Sequence, residues 1–298
     1  MAGGIVSAIA FFGAVEIGLV YAFVGLGVFL SFRILDFPDL TVDGSFPMGA
    51  AVCAVMILAG VNPWLATGAA MVAGACAGLV TALLNVRFKI LHLLASILTM
   101  IALFSINLRI MGRPNVPILN SDTILTPFYS LGLREYLVRP LFLAVFVGIA
   151  VFLLARFLAS DFGLAMRATG ANPRMARAQG VSTALYIYSG MALSNGLVAL
   201  AGALFAQTNG FADVTSGVGT IVVGLAAVII GETILPFRAM WIVLVGCIAG
   251  SIIYRIAIQF ALTSDAIGLE PSDLNLATAV LVALALILPQ LRKRGVSA

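Results

Sequence analysis

The chain has 298 residues, 62% of them hydrophobic and only 9% charged, with a mean hydropathy of +1.16. A soluble domain carries about a quarter charged residues, so this composition excludes one and points to a polytopic membrane protein. The net charge of +4 comes from arginines flanking apolar runs and does not argue for nucleic acid.

A span needs about 20 apolar residues. Nine runs qualify as candidates: 5–32, 47–60, 64–84, 90–111, 140–159, 184–206, 217–230, 240–258 and 274–288. The first is too long for a signal-peptide core and no small-residue cleavage site follows it, so it reads as a retained span. It carries Glu16, which either faces a partner or cavity or marks the true start of the span. Cys53, Cys76 and Cys247 all sit in apolar runs without metal spacing and read as small packing residues. Gly68, Gly74 and Gly78, set among alanines, let helices approach closely.

Two runs, 47–60 and 217–230, are only about 14 residues long. Phe37-Pro38-Asp39-Leu40-Thr41 precedes the first and Phe211-Ala212-Asp213-Val214-Thr215 the second. The two copies lie five spans apart and so enter from opposite faces, as in an inverted-topology repeat with broken helices. Repeat halves of about 5–159 and 184–290 follow, in a single transmembrane domain. Asp39 and Asp213 are expected to cap the half-helices after them, with Thr41 and Thr215 as alternative caps.

Several polar residues lie inside spans. Ser105 and Asn107 fall in the fourth and Ser194 and Asn195 in the sixth. They either line a substrate path or hold helices together. His92, the only histidine, sits at a span entrance beside Lys89 and reads as interfacial. Glu232 is expected to pair with Arg238. The 112–138 segment, with three prolines, and the 262–273 segment, with Asp265, Glu270 and Asp273, form external loops. They either meet a soluble partner or merely connect.

The longest basic interruption is SDFGLAMRATGANPRMARAQGVS, residues 160–182. It reads as two short helices. Ser160 or Asp161 caps the first and Gly170 stops it. Asn172 caps the second, Pro173 opens it and Gly180 stops it. Placing Arg167, Arg174 and Arg177 of this loop in the cytoplasm puts eleven Lys and Arg inside against five outside, as the positive-inside rule requires. The C-terminal Arg292-Lys293-Arg294 is then cytoplasmic and the N-terminus external. The loop either docks on a soluble partner or only sets topology. There is no Gly-x-x-x-x-Gly-Lys-(Ser/Thr) loop, His-Glu-x-x-His or Gly-x-Ser-x-Gly, so ATP binding of that type and hydrolysis lack candidates.

FRILDFPDLTVDGSFPMGAAV (32–52), KILHLLASILTMIALFSINLRIMGRPN (89–115) and GLAMRATGANPRMARAQGVS (163–182) resemble permeases of bacterial ABC importers of the branched-chain amino-acid and ribose type. Within that type the chain looks most like the branch for aromatic or branched-chain amino acids. The resemblance covers most of the chain. It implies an all-α fold of about nine to ten transmembrane helices. It also implies that the segment with Gly170, Asn172, Ala176 and Gly180 forms coupling helices seated in an ATPase groove. Further implied are two ATPase subunits that bind ATP and Mg, an external solute-binding protein and a second permease copy, in the bacterial inner membrane. On this reading the chain is not itself an enzyme and holds no cofactor. The rival reading is an ion-coupled secondary transporter using Glu16 and the Asp39/Asp213 pair.

Overall fold

The computed structural model describes residues 2–119, 121–129, 135–235 and 239–263, together with 279, 280 and 283. The expected run 274–288 apart from those three residues, the 264–273 part of the second external loop, Arg134, Arg238 and the C-terminal Arg292-Lys293-Arg294 lie outside the described residues.

The long apolar runs form helices because every backbone polar group must be satisfied internally in lipid. In order they are α1 (Ala2–Val28), a π-helical continuation (Phe29–Ile34), α2 (Val42–Leu58), α3 (Pro63–Val86), α4 (His92–Met111), α5 (Thr126–Tyr129), α6 (Glu135–Ala159), α7 (Asp161–Ala171), α8 (Pro173–Ala178), α9 (Thr183–Asn209), α10 (Thr220–Ile234) and α11 (Met240–Thr263). Among the described residues six stretches are long and apolar enough to cross a membrane, and α2 and α10 are shorter apolar helices. The fold is all-α in class, and among the described residues it carries one short strand pairing besides. Asn115–Pro117 (β1) pairs antiparallel with Phe211–Asp213 (β2), in the register Asn115 to Asp213. The 112–138 segment is therefore not a plain connector. It carries β1 and α5, and Gln207 of α9 accepts the Ile124 N–H at 3.0 Å.

Burial sorts the helices. The α1 and α9 spans are 78% buried, whereas α4 and α6 are 28% buried and turn most of their apolar surface outward. Helix α9 is the central post, packed against α1, α2 and α3. Gly74 and Gly78 of α3 lie so close to the α9 backbone at Asn195 and Met191 that no side chain fits. Gly68 faces open space, so that part of the small-residue stripe has no packing role here. Cys53 and Cys247 are buried, but Cys76 is exposed and does not pack as expected.

The two short helices are uninterrupted. At 1.5 Å per residue they span about 25 Å (α2) and about 22 Å (α10), less than the ~30 Å hydrocarbon core. The break expected within these runs lies before them, in irregular backbone. The first irregular segment is deeply buried: Phe37, Asp39 and Thr41 are essentially inaccessible. Ser45 bonds Asn195, and Cys53 meets Gln207, so α2 runs alongside α9 from about its midpoint. Gly217, just before α10, abuts the Asp43 carbonyl and Pro47. At its far end, Glu232 of α10 meets Arg33. Both short helices thus begin near mid-depth with adjacent N-termini and run to opposite ends of the bundle.

Candidate functional site

The mid-depth junction is built on carboxylates. Asp39 Oδ1 accepts the Thr41 N–H at 2.9 Å, and its Oδ2 accepts Asn195 Nδ2–H at 2.7 Å. Asn195 Oδ1 in turn accepts from the Ser45 hydroxyl at 2.7 Å. The result is a closed, buried polar network, because an unpaired group at this depth is expensive. Asp39 does not cap α2. It closes a turn two residues long, and Thr41, which occupies the N-cap position, makes no side-chain cap bond. The Thr41 hydroxyl lies 2.7 Å from that of Thr81 instead.

Asp213 repeats the turn. Its Oδ1 accepts the Thr215 N–H at 2.7 Å and the Thr215 hydroxyl at 2.6 Å, and its Oδ2 accepts from Asn115 Nδ2 at 2.9 Å. Partial burial pushes this carboxyl up, but the bonds from Thr215 and Asn115 outweigh that and hold it below the ordinary carboxylate range. Neither Asp213 nor Thr215 caps α10, since Gly219 occupies the N-cap position. The cap comes from Asp43, which sequence reasoning missed. Its two carboxylate oxygens accept the Gly219 and Ile221 N–H groups at 3.2 and 2.8 Å. Asp43 also lies in the first turn of α2, so one carboxylate faces the positive ends of two helix dipoles. The one available signal was an Asp in the first turn of an apolar helix.

The suggested path residues do not come together. Ser194 is fully buried and donates to the Gly27 carbonyl at 2.7 Å. Asn107, also fully buried, donates to the Gly44 carbonyl at 3.1 Å, while its Oδ1 has no hydrogen-bond partner among the described residues. Asn195 belongs to the Asp39 network, and Ser105 points outward from α4. The three buried residues fasten helices, because a side-chain donor at this depth finds a backbone carbonyl more readily than water. His92 stacks on Phe37, ring centroids 4.3 Å apart. Glu16 stands 3.9 Å from Arg139. Among the described residues no three His, Cys, Asp or Glu side chains gather as a metal site.

At the end of the bundle where α9 begins, the 160–182 segment folds as two capped helices. Ser160 Oγ accepts the Gly163 N–H at 3.3 Å. Asn172 Oδ1 accepts from Arg174 N at 3.1 Å and Met175 N at 3.0 Å. Gly180 adopts the left-handed φ of +82° after α8, where a side chain would be strained. Gly170 is no stop, since α7 continues through Ala171. Its missing side chain instead lets α7 touch the Ile34 and Leu35 backbone at the end of α1. Ala176 is buried against its own chain, so the outward face of α8 is Arg174, Met175 and Arg177, with Met175 63% exposed. Arg167 is exposed beside a cavity of about 730 Å³ between α7 and the ends of α1 and α10. In that cavity Arg33 grips Glu232 with two N–H groups. Glu232 pairs with Arg33, while Arg238, its expected partner, lies outside the described residues. Sequence spacing cannot show a partner 199 positions away.

A family model described as branched-chain amino acid transport system, permease component, matches residues 10–289. A tyrosine transport system permease protein of Clostridioides difficile is 39% identical over 265 residues, which cover 89% of this chain and 86% of that protein. An uncharacterized protein of Rickettsia prowazekii is 36% identical over 278 residues, covering 92% and 95%. The solved structure of PsaBC from Streptococcus pneumoniae in complex with Fab has a similar fold. The TM-score is 0.52 at 15% identity, with 93% of this chain and 89% of that chain covered.

Proposed function

The chain belongs to the family of permease components of branched-chain amino acid transport systems, and from that premise we propose that it carries an amino acid inward by ATP-driven alternating access. It is a multi-pass membrane protein and a transport subunit. On this reading it sits in a bacterial inner membrane. Two copies form the path, two ATPase subunits bind ATP and Mg on the cytoplasmic face, and an external binding protein delivers the solute.

One observation carries the mechanism. Helix α7 rests directly on the end of α1 through Gly170, and α1 is clamped to α10 through Arg33 and Glu232. A push on the loop therefore reaches α10, whose other end meets α2 at Asp43. The outward Arg174, Met175 and Arg177 suit a partner groove, because Met and Arg are enriched at the cores of interfaces. Ala176 supports that face from within. The inverted repeat enters the same reading: the twin turns and the opposed short helices give two halves able to rock about mid-depth.

The test is uptake by the assembled transporter in proteoliposomes, with ATP supplied or with ion gradients alone. ATP-dependent uptake of an aromatic or branched-chain amino acid is expected. Uptake that needs a proton or sodium gradient and ignores ATP would establish the secondary-transporter alternative. Within the assembly, Met175→Glu is expected to lower substrate-stimulated ATP hydrolysis at least about tenfold while the permease stays folded, equivalent to about 1.4 kcal/mol of lost coupling.

A further inference from the structure

At the end opposite the 160–182 segment, a cavity of about 620 Å³ opens between α1, α9, α11 and the 215–218 segment that precedes α10. Its walls include Tyr21, Phe205, Thr215, Ser216 and Arg255. Arg255 lies within the apolar helix α11, where an ionisable side chain is rare and faces a partner or a water-filled space. The ion pairs among the described residues are Arg33–Glu232 and Arg139–Glu16, and neither includes it. Its Nε is buried with no hydrogen-bond partner among those residues.

The guanidinium is nevertheless held in place. It lies 4.0 Å over the Tyr21 ring. That ring is stacked on Phe46 at 5.5 Å and braced edge-on by Phe205 at 6.5 Å. A guanidinium held over a ring by cation–π attraction keeps the N–H groups that point away from the ring available, and such a fork takes a carboxylate in two parallel bonds. The opposite requirement is met nearby. The Thr215 hydroxyl donates to Asp213 Oδ1 and the Ser216 hydroxyl to the Asp213 carbonyl, so both keep lone pairs for an incoming N–H donor. The cavity thus offers a cation, hydroxyl acceptors and aromatic faces in one space. Thr215 and Ser216 also lead into α10, so the cavity reaches toward the junction at Asp43.

We propose that this cavity is an entry site for a zwitterionic amino acid, with Arg255 binding the α-carboxylate and Tyr21 and Phe205 flanking an aromatic or apolar side chain. This rests on the amino-acid permease reading above. The first test needs no variant: binding of L-tyrosine and of tyramine, which lacks the carboxylate, to the full-length protein in nanodiscs by saturation-transfer NMR. Tyramine is expected to bind at least tenfold more weakly. Arg255→Gln is expected to reduce L-tyrosine binding at least tenfold, and Arg255→Lys by less, with unfolding midpoints recorded for both. Equal binding of the two probes, no binding of either to the native protein, or native-like binding by a folded Arg255→Gln variant overturns the proposal. Uptake by the assembled transporter separates the two ideas. Amino-acid uptake unchanged in Arg255→Gln removes the entry site alone. The absence of uptake of any α-amino acid by the native assembly removes both.

Discussion

Asp39 and Asp213 accept the backbone N–H two residues ahead at 2.9 and 2.7 Å, yet one is sealed inside the bundle and the other sits at its end. Asp39 answers to Asn195 of α9, and its turn is stapled to α3 through Thr41 and Thr81. Asp213 answers to Asn115 of a two-stranded pairing and remains partly exposed. The spacing to the next helix differs as well. Helix α2 starts at Val42, directly after the first turn, while α10 waits until Thr220 and borrows its cap from Asp43. The same five-residue pattern thus makes the same turn twice, and the surroundings decide what the turn holds together.

That contrast predicts a graded set of outcomes, measured by unfolding of the purified protein in detergent. The largest effect is expected from Asp39→Leu. It strands the Asn195 amide and the Thr41 N–H in a buried site, at a cost of about 3 kcal/mol. Stability of Asp39→Leu equal to native would show that the buried network contributes nothing. Next comes Asp43→Ala, which removes the acceptor for two N–H groups at the start of α10 and costs about 1–2 kcal/mol. Hydrogen exchange at Gly219 and Ile221 is expected to rise in that variant, and unchanged protection there would place the cap elsewhere. Asp39→Asn is milder. If the Asn195 amide turns over and donates to Ser45, the bonds among residues 39, 195 and 45 are remade and only the one from Asn195 Nδ2 to the Met191 carbonyl is lost, leaving stability within about 1 kcal/mol of native.

The smallest effect is expected at Asp213→Leu, about 0.5 kcal/mol, with a pH signature to sharpen the comparison. A carboxyl held below its ordinary range contributes stability in full above the unfolded-state pKa and loses it as pH falls through the folded-state value. The native protein is expected to lose a small increment on acidification below about pH 4, and Asp213→Asn is expected to lack that increment. The same acid dependence in both proteins would mean that Asp213 does not titrate as its bonding requires.

Much of the architecture was legible in sequence because lipid leaves few options. Runs of apolar residues must close their own backbone bonds, so each of the eight expected runs that falls within the described residues is a helix, with ends within about five residues of those expected. The caps of the 160–182 segment were equally legible, since Ser160 and Asn172 act on N–H groups two or three positions away. The reach of local reasoning ended where partners are distant. Gly170 looked like a helix stop and is a contact surface for α1, because nothing local records that Ile34 lies against it. Ala176 looked like a docking residue and faces inward. Asn107, Ser194 and Asn195 left two readings open in sequence, path or fastening, and they fasten helices, because tertiary packing decides whether a polar side chain in a span meets a carbonyl or a cavity. The sequence by itself determined the spans, the local turns and the family. Only the tertiary structure decided that Asp43 joins two helix N-termini, that Arg33 grips Glu232, and that Arg255 faces a cavity. Each of these depends on bringing together side chains from separate helices, a relation that hydrophobic periodicity does not encode.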